Sequence, residues 1–152
     1  MHQVILSLAA NCDAEKNLPE ARLCLEQILT FIHYTDAIWT EPIGCKRKDP
    51  YLNQMVKAHT ELTFEQLNEQ LKAIERQMGR TAKSANAQYA DRIIDIDILL
   101  YDTLQLTSPE LTIPHPLMAQ RDFVLRPLAE IAPRKRHPVL RKTIAQLLTH
   151  NT

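Results

Sequence analysis

"RIIDIDILLYD" spans Arg92–Asp102 and sets two carboxylates, Asp95 and Asp97, inside a run of isoleucine and leucine. An unpaired carboxylate in apolar surroundings is costly, so the run needs a structural reason for both. Strand periodicity supplies one. Side chains alternate faces along a β-strand, so Ile94, Ile96 and Ile98 point into a core. Asp95, Asp97, Ile93 and Leu99 share the other face, with the aspartates roughly 7 Å apart. Like charges that close need compensation. A divalent cation such as Mg²⁺ can give it, since it takes carboxylate oxygens and fills its shell with phosphates. The alternative is a solvated sheet face on which both aspartates pair with Arg92 or a lysine.

The flanking segments place this strand in a fold. "QVILSLAA" (3–10) reads as a buried strand. The helix after it carries Leu18, Ala21, Leu25, Ile28 and Leu29 at helical spacing, with Pro19 expected in its first turn. "HYTDAIWT" (33–40) and "YLNQMVKAHTEL" (51–62) read as consecutive strands joined by a loop at 41–50. Thr63 is a predicted N-cap with Gln66 completing a capping box. The helix that follows buries Phe64, Leu67, Leu71, Ile74 and Met78, and Gly79 is expected to stop it. Residues 80–92 lack periodicity and read as a long loop. After the aspartate strand, Asp102 and Thr103 turn and "LQL" forms a short hairpin arm. Pro114 and Pro116 then break the chain around His115, and short helical pieces follow. The order strand, helix, strand, strand, helix, strand predicts an α+β fold, a ferredoxin-like antiparallel sheet with packed helices. The expectation is a single layer pair plus C-terminal helical pieces, in one domain over residues 1–152.

Composition narrows the function. Eighteen basic and eighteen acidic residues cancel, so no net field draws nucleic acid or an anionic membrane. A nucleic-acid binder on such a sheet would also need a basic face with interleaved aromatics, which this chain lacks. No apolar run is long enough to span a bilayer. The three cysteines, Cys12, Cys24 and Cys45, have neither disulfide nor zinc spacing, and a cytoplasmic protein is expected. The only glycines are Gly44 and Gly79, which excludes both glycine-rich phosphate-binding motifs. Any nucleotide must be held by side chains and metal. On its own His115, between two prolines, reads as a hydrogen-bonded loop histidine, and Arg121, Arg92, Arg80 and Lys83 each read first as surface charges. Together they could form the cationic half of a triphosphate site. Tyr51 and Phe123 could stack on a planar ring, and Asn53, on the same strand face as Tyr51, could bond a heterocycle edge. Trp39 is expected in the core, and "RKRHPVLRK" (134–142) reads as a solvated charge run.

Several segments, in order, resemble the hydroxymethyl-dihydropterin pyrophosphokinases of folate biosynthesis. "RIIDIDILLYD" is similar to their R-x-x-D-x-D signature, and "LTIPHPLMAQRDFVLRPLAEIAP" to their second signature at nearly every position. "WTEPIG", "DPYLNQMV" and "IERQMGR" match further family segments. The resemblance implies transfer of pyrophosphate from ATP to the pterin hydroxymethyl group, with AMP leaving. It implies two Mg²⁺ ions on Asp95 and Asp97, and catalytic roles for Arg92, His115 and Arg121. On the ATP side it implies Glu75, Arg80, Lys83, Arg92, Ile98, His115 and Arg121. On the pterin side it implies Thr40, Ile43, Tyr51, Asn53, Asp95 and Phe123. ATP and hydroxymethyl-dihydropterin are the expected partners of a monomer. A diverged, catalytically weak binding domain is the other reading. The chain departs from the family pattern at Ala9-Ala10-Asn11, where Gly-Ser-Asn is usual, and at Ala90-Asp91, where Gly-Pro is usual.

Overall fold

The computed structural model describes residues 1–41, 50–81 and 93–151. Its sheet is built from β1 (His2–Ala10), β2 (Thr30–Tyr34), β3 (Ile38–Thr40), β4 (Tyr51–Thr60) and β5 (Asp95–Tyr101). The order is β2-β4-β1-β5, with β3 also on β4, and every pairing is antiparallel. Helices α1 (Ala14–Leu25) and α2 (Phe64–Thr81) follow β1 and β4. A short ribbon of β6 (Leu106–Thr107) and β7 (Thr112–Ile113) precedes α3 (Asp122–Ile131) and α4 (Ile144–Asn151). The expected α+β class with an antiparallel sheet is met.

Alternation along the strands divides the core in two. Val4, Leu6 and Leu8 of β1, Val56 and Ala58 of β4, and Ile96 and Ile98 of β5 pack with Leu18, Ala21 and Leu25 of α1 and Leu67, Leu71, Ile74 and Met78 of α2. Ile5, Met55, Leu99 and Leu100 pack with Met118, Val124, Leu125, Leu128, Ile144 and Leu147. The C-terminal helices are thus a second layer covering part of the opposite sheet face, rather than loose additions to a two-layer fold. A bulge makes this possible. Ile5 pairs Leu100 while Leu6 pairs Ile98, so Leu99 is the extra residue, and Leu99 and Leu100 both serve the second cluster.

Five local expectations are corrected. The strand at 33–40 is two strands, because the Thr35 hydroxyl accepts the Met55 N–H at 2.9 Å, and the Gln54 amide donates to the Thr35 carbonyl at 2.6 Å. Side chains share the pairing there with one backbone bond, from the Thr35 N–H to the Met55 carbonyl at 3.0 Å, and the regular ladder stops and restarts. Pro19 lies inside α1, beyond its first turn. The helix already begins at Ala14, where Lys16 and Asn17 N–H groups donate to the Asp13 carbonyl, and Pro19 only forgoes one bond further on. Gly79 does not stop α2, which continues through Arg80 and Thr81. A glycine is merely a weak helix former, not a barrier. Ile93 precedes the strand, and so escapes its period and packs with the isoleucine cluster instead of facing the site. Trp39 is 49 % exposed, being carried on a three-residue strand outside the buried layers. The capping box at Thr63 and Gln66 forms reciprocally, at 3.0 and 3.1 Å. A second one, at Thr143 and Gln146, starts α4.

Candidate active site

The uncovered part of the second sheet face carries the aspartates. In register, Ser7 faces Asp97 and Ala9 faces both Asp95 and Asn53. Small residues on β1 therefore leave room between the carboxylates of β5 and the amide of β4. The pairing of β1 with β4 runs unbroken through Ala9 and Ala10, so the lack of a glycine at that point does not shift the strand.

Two cavities meet at this face. The first, about 270 Å³, is lined by Asn68, Lys72 and Glu75 of α2, by Asp95–Ile98, by the Ser108–Thr112 turn, and by His115 and Pro116. The second, about 210 Å³, is lined by Ser7, Ala9, Thr40, Tyr51, Asn53 and Met55, with Leu99, Met118, Arg121, Phe123 and Val124. Asp95, Asp97 and His115 line both. They form the wall between a mostly polar chamber and one with an aromatic and apolar side.

His115 is tied to the aspartate strand by its own N–H, which donates to the Leu99 carbonyl at 2.9 Å. Its Nδ1 accepts the Leu117 N–H at 3.2 Å. That contact assigns the proton of the neutral ring to Nε2, which lies 4.0 Å from the Asp97 carboxylate. Burial first, then the Arg121 guanidinium, holds the imidazole below its ordinary pKa, with Asp95 opposing. Arg121 caps the start of α3 and sits 5.7 Å over the Phe123 ring, where a guanidinium and an aromatic face attract.

Asn53 is buried and held by three acceptors. Its amide nitrogen donates to Thr40 Oγ1 at 2.7 Å, to the Tyr51 carbonyl at 3.2 Å and to the Ile38 carbonyl at 3.3 Å. β3 and β4 thus fix its orientation as one unit with Thr40 and Tyr51. Glu75 reaches across from α2 and accepts the Ile96 N–H at 2.7 Å. Its carboxyl is pushed up to about 7, first by burial and then by Asp95 beside it, against the pull of the Ile96 N–H and of Lys72. Ile98 lines the same chamber.

The structure therefore brings together Glu75, Asp95, Asp97, Ile98 and His115 on one side, and Thr40, Tyr51, Asn53, Asp95, Arg121 and Phe123 on the other. Arg121 lines only the second chamber. Arg80 lies in the last turn of α2. Ile43, Lys83, Arg92 and the Ala90-Asp91 departure lie outside the described residues. Sequence reasoning missed Lys72, Asn68 and Ser7. Lys72 was findable, since it precedes Glu75 by three residues on a helix and so shares its face. Ser7 required the register of β1 on β5.

Among the described residues no three acidic, histidine or cysteine side chains are grouped as a self-sufficient metal site. The chain offers two neighbouring carboxylates instead. Hard oxygen donors in that number fit a Mg²⁺ ion that completes its shell with phosphate oxygens and water.

A family model described as 7,8-dihydro-6-hydroxymethylpterin-pyrophosphokinase (HPPK) matches residues 5–133. The chain belongs to this family. A 2-amino-4-hydroxy-6-hydroxymethyldihydropteridine pyrophosphokinase of Porphyromonas gingivalis is 42 % identical over 136 residues, which is 86 % of this chain and 90 % of the relative. One of the same name from Aquifex aeolicus is 32 % identical over 153 residues, covering 100 % of this chain and 94 % of the relative. Among solved structures, a Plasmodium falciparum HPPK-DHPS chain superposes with a TM-score of 0.76 at 17 % identity, covering 98 % of this chain. The present chain spans 45 % of that longer protein, and the likeness concerns the fold.

Proposed function

We propose that this HPPK-family chain transfers the pyrophosphoryl group of ATP to 6-hydroxymethyl-7,8-dihydropterin in folate biosynthesis. The observation that carries this reading is the common wall. Asp95, Asp97 and His115 stand between two chambers of unlike chemistry, as a transfer between two unlike substrates requires. The pterin hydroxyl oxygen attacks the β-phosphorus, the bond from that phosphorus to the α-phosphate oxygen breaks, and AMP leaves. The hydroxyl proton is lost to solvent or to a phosphate oxygen. Such reactions depend on positioning and charge neutralisation more than on covalent help from the protein.

In this reading the chamber with Lys72, Glu75 and Ile98 takes the nucleotide, and the ammonium of Lys72 bonds its phosphates. Arg80 and Lys83 belong to the same side. The chamber with Tyr51, Asn53 and Phe123 takes the pterin. Phe123 and Tyr51 stack on the ring, while Asn53, Thr40 and Ile43 read its edge. His115 donates from Nε2 to a phosphate oxygen. Arg92 and Arg121 offset the charge that builds up during transfer. Asp95 and Asp97 would hold two Mg²⁺ ions, which neutralise the phosphates and hold them in line.

Helices α1 and α2 cross one face of a four-strand order of the split β-α-β kind, which supports a ferredoxin-like assignment. Residues 1–152 act as one pyrophosphokinase domain, monomeric and cytoplasmic. Cys24 as a free thiol fits that compartment, and no helix of the described residues is long and apolar enough to cross a membrane.

The test is AMP formation from ATP, with and without the pterin, across Mg²⁺ concentrations. The expected result is pterin-dependent AMP that disappears with EDTA. Binding of both substrates without AMP would instead establish a catalytically weak binding domain.

A further inference from the structure

A third cavity lies on the same sheet face as the carboxylates, at the far end of the strands, and at about 640 Å³ it is larger than either chamber of the site. Gln3 and Ile5 of β1 lie beside His59 and Lys57 of β4 in register and form its floor. Ile131, Ala132 and Pro133, at the end of α3, form one side, and Arg134, Lys135 and Arg136 continue the wall. Helix α3 thus starts at the candidate active site with Arg121 and Phe123 and ends on this separate cavity.

The charge of the cavity is one-sided. Lys57, Arg134, Lys135 and Arg136 line it, and among the described residues no acidic side chain does. An opposing charge beside it is Asp102, which accepts the Gln3 N–H at 2.7 Å and pairs with His2 at 2.7 Å. Lys135 stands close enough to Asp102 to help depress its pKa, and its amine lies 3.5 Å from the Asp102 carbonyl. Lys57 donates to the Ile131 carbonyl at 3.0 Å. An ammonium carries three protons, so that bond anchors Lys57 at the cavity without exhausting it. Concentrating like charges in a neutral protein costs self-repulsion, and a bound anion relieves it.

We propose that this cavity binds a small organic anion that carries at least two negative charges on an apolar or aromatic body. The cations recognise the charges, while Ile5, Ile131, Ala132 and Pro133 cover the body. The volume falls in the range of small-molecule pockets.

The test uses the fluorescent trianion 8-hydroxypyrene-1,3,6-trisulfonate, titrated by anisotropy at low salt, with pyrophosphate and citrate as competitors. The competitors distinguish phosphate from carboxylate recognition. Saturable binding is expected, weakened about tenfold or more in Lys57→Met/Arg134→Ser and unaffected in Arg121→Ala, since each lost charge-assisted bond is worth about a factor of ten. Arg134→Glu, at an exposed position, repeats the test should the double variant fold poorly. Amide shifts in two-dimensional NMR are expected at Gln3, Lys57, His59 and Lys135. Absence of binding, binding indifferent to Arg134→Glu, or binding abolished by Arg121→Ala would overturn the proposal. The last result would mean that the anion occupies the candidate active site. A shift pattern spread over the exposed basic residues would overturn it as well.

Discussion

The two chambers that share Asp95, Asp97 and His115 are made from different parts of the fold. The chamber with Lys72 and Glu75 lies between α2, the start of β5 and the turn before His115. Its walls are charged side chains and backbone, suited to phosphates and a sugar. The other lies between β1, β3, β4 and the start of α3, and is walled by Tyr51, Phe123, Met55, Met118 and the clamped amide of Asn53. In the proposed reading that slot takes a flat heterocycle. One face of one strand joins them, so two substrates can meet without either chamber serving both. In the proposed reading, selectivity resides in the separate walls and reaction in the common one.

The largest expected effect is at the common wall. Asp97→Ala should lower turnover by at least about a hundredfold, the loss expected when a group stabilising transition-state charge is removed. Its melting temperature should stay near that of the parent, because Asp97 lies on the site face and outside both apolar clusters. Steady-state rates with a thermal melt check both halves. A variant with near-normal rate would dissolve the comparison.

Next come the separate walls, which should fail separately. Phe123→Ala should weaken pterin binding about tenfold through lost stacking and burial, leaving ATP unchanged. Lys72→Met should raise the KM for ATP by a similar factor and spare the pterin. Substrate-by-substrate titration shows whether the two losses are independent. A loss of both affinities in either variant would merge the chambers into one.

How far the sequence foretold this site follows from the same division. The common wall was readable because strand period two depends only on neighbours in sequence, and Asp95, Ile96, Asp97 and Ile98 obey it. Asn53 and Tyr51 were readable as one face for the same reason. The helical stripe of α2 and the Thr63–Gln66 capping box are equally local. What failed was long-range. The break at Thr35 depends on Met55 and Gln54 across the sheet. The exposure of Trp39 depends on which edge its strand joins. The second helical layer depends on the bulge at Leu99, which only the register with Ile5 and Leu6 reveals. Lys72 and Ser7 joined the site through tertiary docking. The basic cavity behind α3 is invisible in sequence, because Lys57 and Arg134 are far apart in the chain.

A smaller effect concerns Glu75 in the ligand-free protein. Its carboxyl is raised to about 7, so the folded state holds a proton that the unfolded state releases above the ordinary glutamate range. Folding stability from this group is therefore full at about pH 4 and is lost as pH rises towards 7. Glu75→Gln keeps an acceptor for the Ile96 N–H without the charge. It should be more stable than the parent at pH 8, by about 1 kcal/mol once solvent screening of a partly exposed group is allowed for. The advantage should vanish near pH 4, and denaturant melts at the two pH values check it. The smallest effect is a control remote from both walls. Thr63→Ala should cost about 1 kcal/mol or less by removing one half of the capping box, lower the melting temperature by roughly 2–4 °C, and leave both substrate affinities intact.

The central claim is that the carboxylate pair separates the two substrates and faces both. A crystal structure with Mg²⁺, α,β-methylene-ATP and 6-hydroxymethylpterin tests it most directly. The account predicts the nucleoside beside Lys72, Glu75 and Ile98, the pterin between Tyr51, Asn53 and Phe123, and metal-bound phosphates at Asp95 and Asp97. Both ligands in one chamber, or phosphates and metal away from the two aspartates, would contradict it.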